Sequence, residues 1–217
     1  MTNREKIEAA KEKFGILLEE QLARVEKMKN EAGFVDYSKL DKIIIGVTGG
    51  DGIGPAITRE AERVLEYLLK DEIASGKVEI RDIPGLTIEH RVECMQAVPD
   101  DVMDELKKCH VILKGPTTTP RKGDPWPNIE SANVAMRKEL DLFANVRPVK
   151  VPEQGIDWVF YRENTEGAYA VGSKGAVVDE DLSVDFTVVT SQGTERVIRA
   201  AFDFAAKNGR TRVTAVT

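Results

Sequence analysis

The run Lys42 to Val47 (KIIIGV) is short, apolar and rich in β-branched residues; the glycine-studded turn Gly49-Gly50-Asp51-Gly52-Ile53-Gly54-Pro55 follows, and spaced apolar residues resume from Ala56 to Leu69. This pattern spells a strand, a tight turn and a helix. The same alternation continues downstream. Lys77 to Ile83 (KVEIRDI) alternates as a strand, Pro99 to Lys108 reads as a helix with an acidic first turn and a basic last turn, and His110 to Leu113 is a further buried strand. Alternating strands and helices are the mark of an α/β sheet covered by helices. The glycines suggest a dinucleotide-binding Rossmann turn, but they do not fit G-x-G-x-x-G, and no strand-end acid stands where the ribose partner belongs. That reading is rejected.

Outside this frame, residues 3–30 carry Ile7, Phe14, Leu17, Leu18, Leu22, Val25 and Met28 among many Glu and Lys, which predicts one long amphipathic helix. It is either an added arm or oligomer contact, or a cover for the chain's own core. Residues 31–41 read as a loop. Trp158 to Arg162 is a strand, and two alternating runs, Ala176 to Val178 and Val184 to Val189, flank the acidic turn Asp179-Glu180-Asp181 as a hairpin. Thr194 to Lys207 is a helix stopped by Asn208-Gly209, and Arg212 to Thr217 alternates as a last strand.

With 41% hydrophobic and 31% charged residues in 217, the chain has the composition of an ordinary soluble globular protein. A formal charge of -6 argues against nucleic acid as the main partner, since phosphate binding needs a clustered basic face. Cys94 and Cys109 make neither a disulfide framework nor a C-x-x-C pair, so they read as buried apolar filler in a reducing compartment. His90 and His110 lack a partner cluster at metal spacing and read as structural or surface residues. The N-terminus has no apolar stretch of signal-peptide length, and no apolar run approaches the roughly 18 residues of a membrane span. No membrane association and a cytoplasmic location are expected.

Chemistry concentrates in the stretch from Ser131 to Arg147 and in the segments on either side of it, Lys114 to Pro120 (KGPTTTP) and Arg162 to Tyr169 (RENTEGAY). Arg137, Arg147 and Arg162 offer planar, permanently charged forks that match the two oxygens of a carboxylate. Ser131 and Asn133, six and four residues before Arg137, stand where a helix N-terminus would favour an anion. Two readings stay open on these residues alone. Either they form an anion site suited to a polycarboxylate, or Ser131 is an N-cap, Asn133 a turn residue and the arginines surface charges.

S-x-N-x-x-x-R, NVRP and RENTEG-x-Y, with KGPTTTP and GDGIGP upstream, closely resemble the isocitrate and isopropylmalate dehydrogenase family of metal-dependent β-decarboxylating dehydrogenases. The resemblance runs from about Lys42 to Thr217, and Ser131 with Asn133 resembles the isocitrate branch rather than the isopropylmalate one. It implies a three-layer α/β fold of that family's type, not Rossmann, with a small clasp-like β-hairpin. The organisation it implies is an N-terminal helical extension over residues 1–41, part of a large α/β domain and the start of a small domain over 42–160, and the small domain over 161–217.

The implied reaction is oxidative decarboxylation of isocitrate with NAD or NADP and Mg2+ or Mn2+. Carried over residue by residue, Arg137, Arg147 and Arg162 hold substrate carboxylates, Ser131, Asn133 and Thr119 contact substrate, Lys114, Thr118 and Asn133 face the cofactor, and Tyr169 is the general acid. The catalytic lysine and the metal-binding aspartates follow the last strand in the family's order, so no metal ligand is expected in these residues. The chain is thus expected to be an incomplete N-terminal half, inactive alone, with a tricarboxylate substrate and either a homodimeric or a complementing partner; the alternative is a half-enzyme or regulatory subunit that needs a partner chain. One departure stands out: the segment RKGDPWPNIE from Arg121 to Glu130 is longer than the family pattern, which leaves a related 2-hydroxy acid such as isopropylmalate as the alternative substrate.

Overall fold

α1 (Asn3–Asn30) opens a chain whose elements then run β1 (Ile43–Thr48), α2 (Gly54–Leu68), α3 (Lys70–Ala74), β2 (Val78–Asp82), α4 (Ile88–Cys94), α5 (Asp100–Leu106), β3 (Val111–Lys114), α6 (Ala132–Glu139), β4 (Ala144–Val151), β5 (Ile156–Glu163), α7 (Ala168–Val171), β6 (Ala176–Val177), β7 (Ser183–Val184) and α8 (Ser191–Lys207). The structure is a computed structural model and describes residues 2–30, 35–172 and 174–216. The chain divides into two compact units, Gly33–Met136 and Met1–Ala32 with Arg137–Thr217.

In the unit of residues 33–136, β1 lies between β2 and β3, parallel to both, with Ile45 opposite Ile80 and Val111. A parallel strand covered on both faces must be apolar almost throughout, which is why KIIIGV reads as a run rather than an alternation. Val47, Ile83, Leu86, Val102 and Leu106 are each at most 3% exposed and form the core beneath it. Burying side chains of this size stabilises by about 1.5–3 kcal/mol each before chain entropy is charged against it. α4 was not anticipated from the sequence. Thr87 caps it by accepting from the His90 N–H at 3.4 Å, and it ends on Met95 in a left-handed conformation.

Both histidines serve structure, as expected. The His110 Nδ1 accepts from the Ile44 N–H at 3.0 Å, tying β3 to β1, and half-buried His90 lies against Asp101. The cysteine expectation needs correction, because Cys94 is exposed at the end of α4. The buried residues of α4 are Ile88 and Arg91, and Cys94 at its end lies off the face they share. Cys109 is half-buried rather than internal, and burial pushes its thiol pKa up. Iodoacetamide at pH 8 should therefore label Cys94 first and Cys109 slowly, the difference shrinking as pH rises. Peptide mass spectrometry reads this directly, and equal labelling rates would contradict the burial argument.

In the other unit, β4 and β5 form an antiparallel ribbon paired along its whole length, from Ala144 with Glu163 to Val151 with Ile156. β4 escaped the sequence reading because Pro148 sits in its middle, which a two-stranded ribbon tolerates at its open edge. α8 packs on β5, with the Tyr161 and Phe204 rings 5.5 Å apart. The long N-terminal helix forms as expected and covers this unit's own surface: Leu17 is 3% exposed and Phe14 stacks on Phe186 at 5.0 Å.

The hairpin is shorter than expected. After Ser183–Val184 the chain leaves β6, and Val188 bridges Gly167 instead. Residues 212–216, expected as a strand, take no strand form. Alternation decides which face each side chain would show, but a ladder also needs a partner edge, and none pairs with them among the described residues. Among the described residues, no helix is long and apolar enough to cross a membrane.

Candidate active site

The segment that follows β5 is fixed by its own acids. The Glu163 carboxylate accepts from the Thr165 N–H at 2.8 and 2.9 Å, from the Thr165 hydroxyl at 2.6 Å and from the Glu166 N–H at 2.6 Å, which closes a turn directly after Arg162. Asn164, Thr165 and Glu166 are all buried. Gly167 then takes φ 65° and ψ −138°, a conformation side-chain-bearing residues resist, and this swings the chain into α7 and sets Tyr169 in place.

Tyr169 is the centre of a cationic cluster. Its hydroxyl oxygen accepts a hydrogen bond from Arg162 Nη2 at 2.8 Å, and the guanidinium carbons of Arg162 and Arg137 lie 5.3 and 6.0 Å from the ring centroid. Cations at this range are drawn to the ring's negative face. Because the phenol oxygen is the acceptor, its own hydrogen remains available for donation. Arg147 stands one step along the ribbon: Asn145 pairs with Arg162 and Arg147 with Phe160, so Arg147 and Arg162 share a face. Arg147 Nε donates to Asn145 Oδ1 at 2.9 Å, which holds it on that face rather than against the tyrosine. Among the described residues, none of Arg137, Arg147 and Arg162 pairs with a carboxylate, whereas Arg24, Arg63, Arg81, Arg196, Arg199 and Arg210 do.

The remaining expected site residues lie near the glycine turn or at the start of α6. Asp51 joins three parts of its unit: its N–H donates to Pro116 O at 2.8 Å, and its carboxylate accepts from the Ile88 and Thr118 N–H groups, each at 2.6 Å. Gly50 is a glycine for two reasons, a φ of 71° and a Pro116 oxygen that would lie 2.0 Å from any Cβ. Lys114 turns into its own loop, donating to Gly115 O at 2.8 Å and to the Thr117 hydroxyl at 3.1 Å. Thr119 is exposed and Thr118 half-buried. Ser131 precedes α6 and its carbonyl accepts from the Ala135 N–H at 3.0 Å, the N-cap position, while Asn133 is exposed one turn before Arg137 on the same helix.

Arg91 was missed by the sequence reading. It is fully buried and donates from Nε to Ala97 O (2.7 Å), from Nη1 to Thr118 O (2.6 Å) and from Nη2 to Glu130 O (3.0 Å), so one side chain ties the Thr118 loop to the residue before Ser131. Nothing in HRVEC marks that arginine as internal. Only the coincidence of three carbonyl-bearing loops around it does.

The sequence profile of the isocitrate/isopropylmalate dehydrogenase family matches residues 44–217. The chain belongs to that family. Among the relatives of this isocitrate/isopropylmalate dehydrogenase family member is the homoisocitrate dehydrogenase of Methanocaldococcus jannaschii, 33% identical in a 190-residue alignment that covers 78% of this chain and 50% of the relative. The NADP isocitrate dehydrogenase of Caldococcus noboribetus is 32% identical over 80% of this chain and 46% of its own length. A solved structure of a β-decarboxylating dehydrogenase from Thermococcus kodakarensis, in its apo form, is similar with a TM-score of 0.57 and 32% identity, over 77% of this chain and 46% of that one. The chain thus spans about half the length of the curated relatives it matches. α1 lies wholly outside the family-matched residues.

Proposed function

We propose that this chain carries the substrate-carboxylate side of a decarboxylating dehydrogenase acting on isocitrate with NAD or NADP. The observation that carries the reading is the set of three arginines without acidic partners among the described residues, two of them at the Tyr169 ring and the third on the same ribbon face as Arg162. Charged forks left open beside a proton donor suit a substrate with several carboxylates.

In the reaction, the carbon bearing the substrate hydroxyl gives up hydride and the hydroxyl gives up its proton, making a ketone. The β-carboxylate then leaves as carbon dioxide, and its bonding electrons form an enolate that must be protonated on carbon to give 2-oxoglutarate. Arg137, Arg147 and Arg162 hold carboxylates against these changes of charge, Ser131, Asn133 and Thr119 bind the remaining oxygens, and the Tyr169 hydroxyl delivers the proton to the enolate carbon. A nicotinamide cofactor, when bound, accepts the hydride, and the exposed amide of Asn133, with Lys114 and Thr118, suits its carboxamide and ribose. Among the described residues, no group of three or more His, Cys, Asp or Glu side chains fits a metal ion, so we derive no step through Mg2+ or Mn2+. The chain spans about half the length of its curated relatives, and the reading places the metal ligands and the base that takes the hydroxyl proton in the half of those relatives it does not span, supplied in a homodimer or by a complementing chain. The free thiols of Cys94 and Cys109 support a reducing, cytoplasmic setting.

Titration calorimetry of isocitrate into the chain tests the reading. Binding is expected, and Arg162→Lys, which keeps the charge but removes the planar fork and its bond to Tyr169, should weaken it about tenfold. An unchanged dissociation constant in that variant would sink the assignment. The similarity to a homoisocitrate dehydrogenase favours one second reading, a substrate longer by one methylene, and tighter binding of homoisocitrate in the same titration would select it.

A further inference from the structure

We propose that Arg24, on the N-terminal helix and outside the family-matched residues, is a positioning residue for the Arg162–Tyr169 pair and acts through the buried carboxylate of Glu166. The inference rests on the function proposed for that pair.

Glu166 is 4% exposed, and a carboxylate there needs hydrogen-bond donors to offset the loss of water. It accepts from Arg24 Nη1 at 2.9 Å, from the Thr190 N–H at 3.0 Å and from the Thr190 hydroxyl at 2.5 Å. Thr190 in turn caps α8 by accepting from the Gly193 N–H at 3.0 Å, and a Cβ on Gly193 would lie only 2.1 Å from Glu166 Oε1. The carboxylate therefore occupies the space over the first turn of α8 and has no room to swing away. Arg24 uses the other tine of its fork on the same segment: Nη2 donates to the Thr165 hydroxyl oxygen at 3.0 Å, where Arg196 Nη2 also donates at 3.1 Å. Arg24 is the only one of these donors that carries a charge and points at Glu166 among the described residues.

The helix is seated so as to deliver that guanidinium. Lys6 meets Asp179 at 2.9 Å, Phe14 stacks on Phe186, Leu17 is buried and Glu20 receives Lys174. These positions and Arg24 recur at helical spacing along one stripe. Without Arg24 the buried carboxylate keeps only the two groups of Thr190, and residues 163–167 must shift to rehydrate it. Arg162 immediately precedes that segment and Tyr169 follows it by two residues, so the shift moves both ends of their 2.8 Å hydrogen bond. Small misplacements of a reacting group are amplified strongly in rate and affinity.

The test uses the 217-residue chain, with isocitrate as titrant and amide hydrogen exchange as a second readout. Arg24→Met is expected to speed exchange about tenfold or more across residues 163–172, to leave residues 43–48 unchanged, and to weaken isocitrate about tenfold. Arg24→Lys, which keeps the ion pair but cannot also reach Thr165, should fall between. In the Arg162→Lys background the Arg24→Met change should cost little more, because both act on one pair. Additive losses, or unchanged exchange at 163–172, overturn the proposal. Should exchange loosen everywhere in Arg24→Met, Arg24→Lys carries the comparison. If the unsubstituted chain does not bind isocitrate, the functional reading fails, and local exchange still decides whether Arg24 positions the segment.

Discussion

Arg91→Met is expected to lower the free energy of unfolding by about 3–5 kcal/mol. The guanidinium is fully buried and satisfies three main-chain carbonyls, those of Ala97, Thr118 and Glu130, from three different nitrogens. Burial lowers its pKa, with the Asp51 carboxylate opposing the shift, but a guanidinium stays charged at neutral pH. Methionine fills much the same volume and leaves all three carbonyls without their donor. Arg91→Lys should recover only part of the loss, since a single ammonium cannot span three separated acceptors. Urea denaturation followed by circular dichroism measures both variants. A midpoint for Arg91→Met equal to that of the parent would mean that water or neighbouring N–H groups replace the guanidinium at no cost.

Gly115→Ala should cost about 3 kcal/mol and lower the melting temperature by roughly 6–12 °C in a chain of this size. A methyl group at Gly115 would lie 2.0 Å from the Gly49 carbonyl oxygen and 2.7 Å from the Thr58 hydroxyl. Neither neighbour can yield easily. The Gly49 carbonyl is already approached so closely by Gly54 that a Cβ there would stand at 2.2 Å, and Thr58 is 5% exposed in α2. Calorimetry that found an unshifted melting temperature would show that the glycine turn is looser than this packing implies.

How far the sequence discloses this molecule depends on the range of the forces involved. The strand, glycine turn and helix beginning at Lys42 are local, fixed by apolar run length and by glycine, and they form as read. So do α1 and α8, whose periodicity extends over 28 and 17 residues. The failures depend on partners. Residues 212–216 alternate without a strand to pair with, Val188 prefers Gly167 to the hairpin, and Pro148 conceals a strand that pairs along its full length. In the site, Arg137, Arg162 and Tyr169 come together as their motifs suggest, whereas Arg147 is turned aside by Asn145, a neighbour two residues away. Asp51, Arg91 and Glu166 were passed over because a charge tied to main-chain or hydroxyl groups of distant segments looks in sequence like any surface charge. What distinguishes each is the convergence of N–H groups or carbonyls from segments far apart.

The pairing of Arg24 with Glu166 spans 142 positions, and the whole continuous unit of residues 33–136 lies between them. A ribosome therefore exposes α1 long before its acceptor exists, at a synthesis rate of about 5–20 residues per second roughly 7–28 s earlier. During that interval the inserted unit can complete its own three-stranded sheet, while the apolar stripe of α1 stays uncovered in the nascent chain. Slowing elongation, or supplying a holdase chaperone, should therefore alter the yield of folded protein through the first 30 residues, which are the last to find their place.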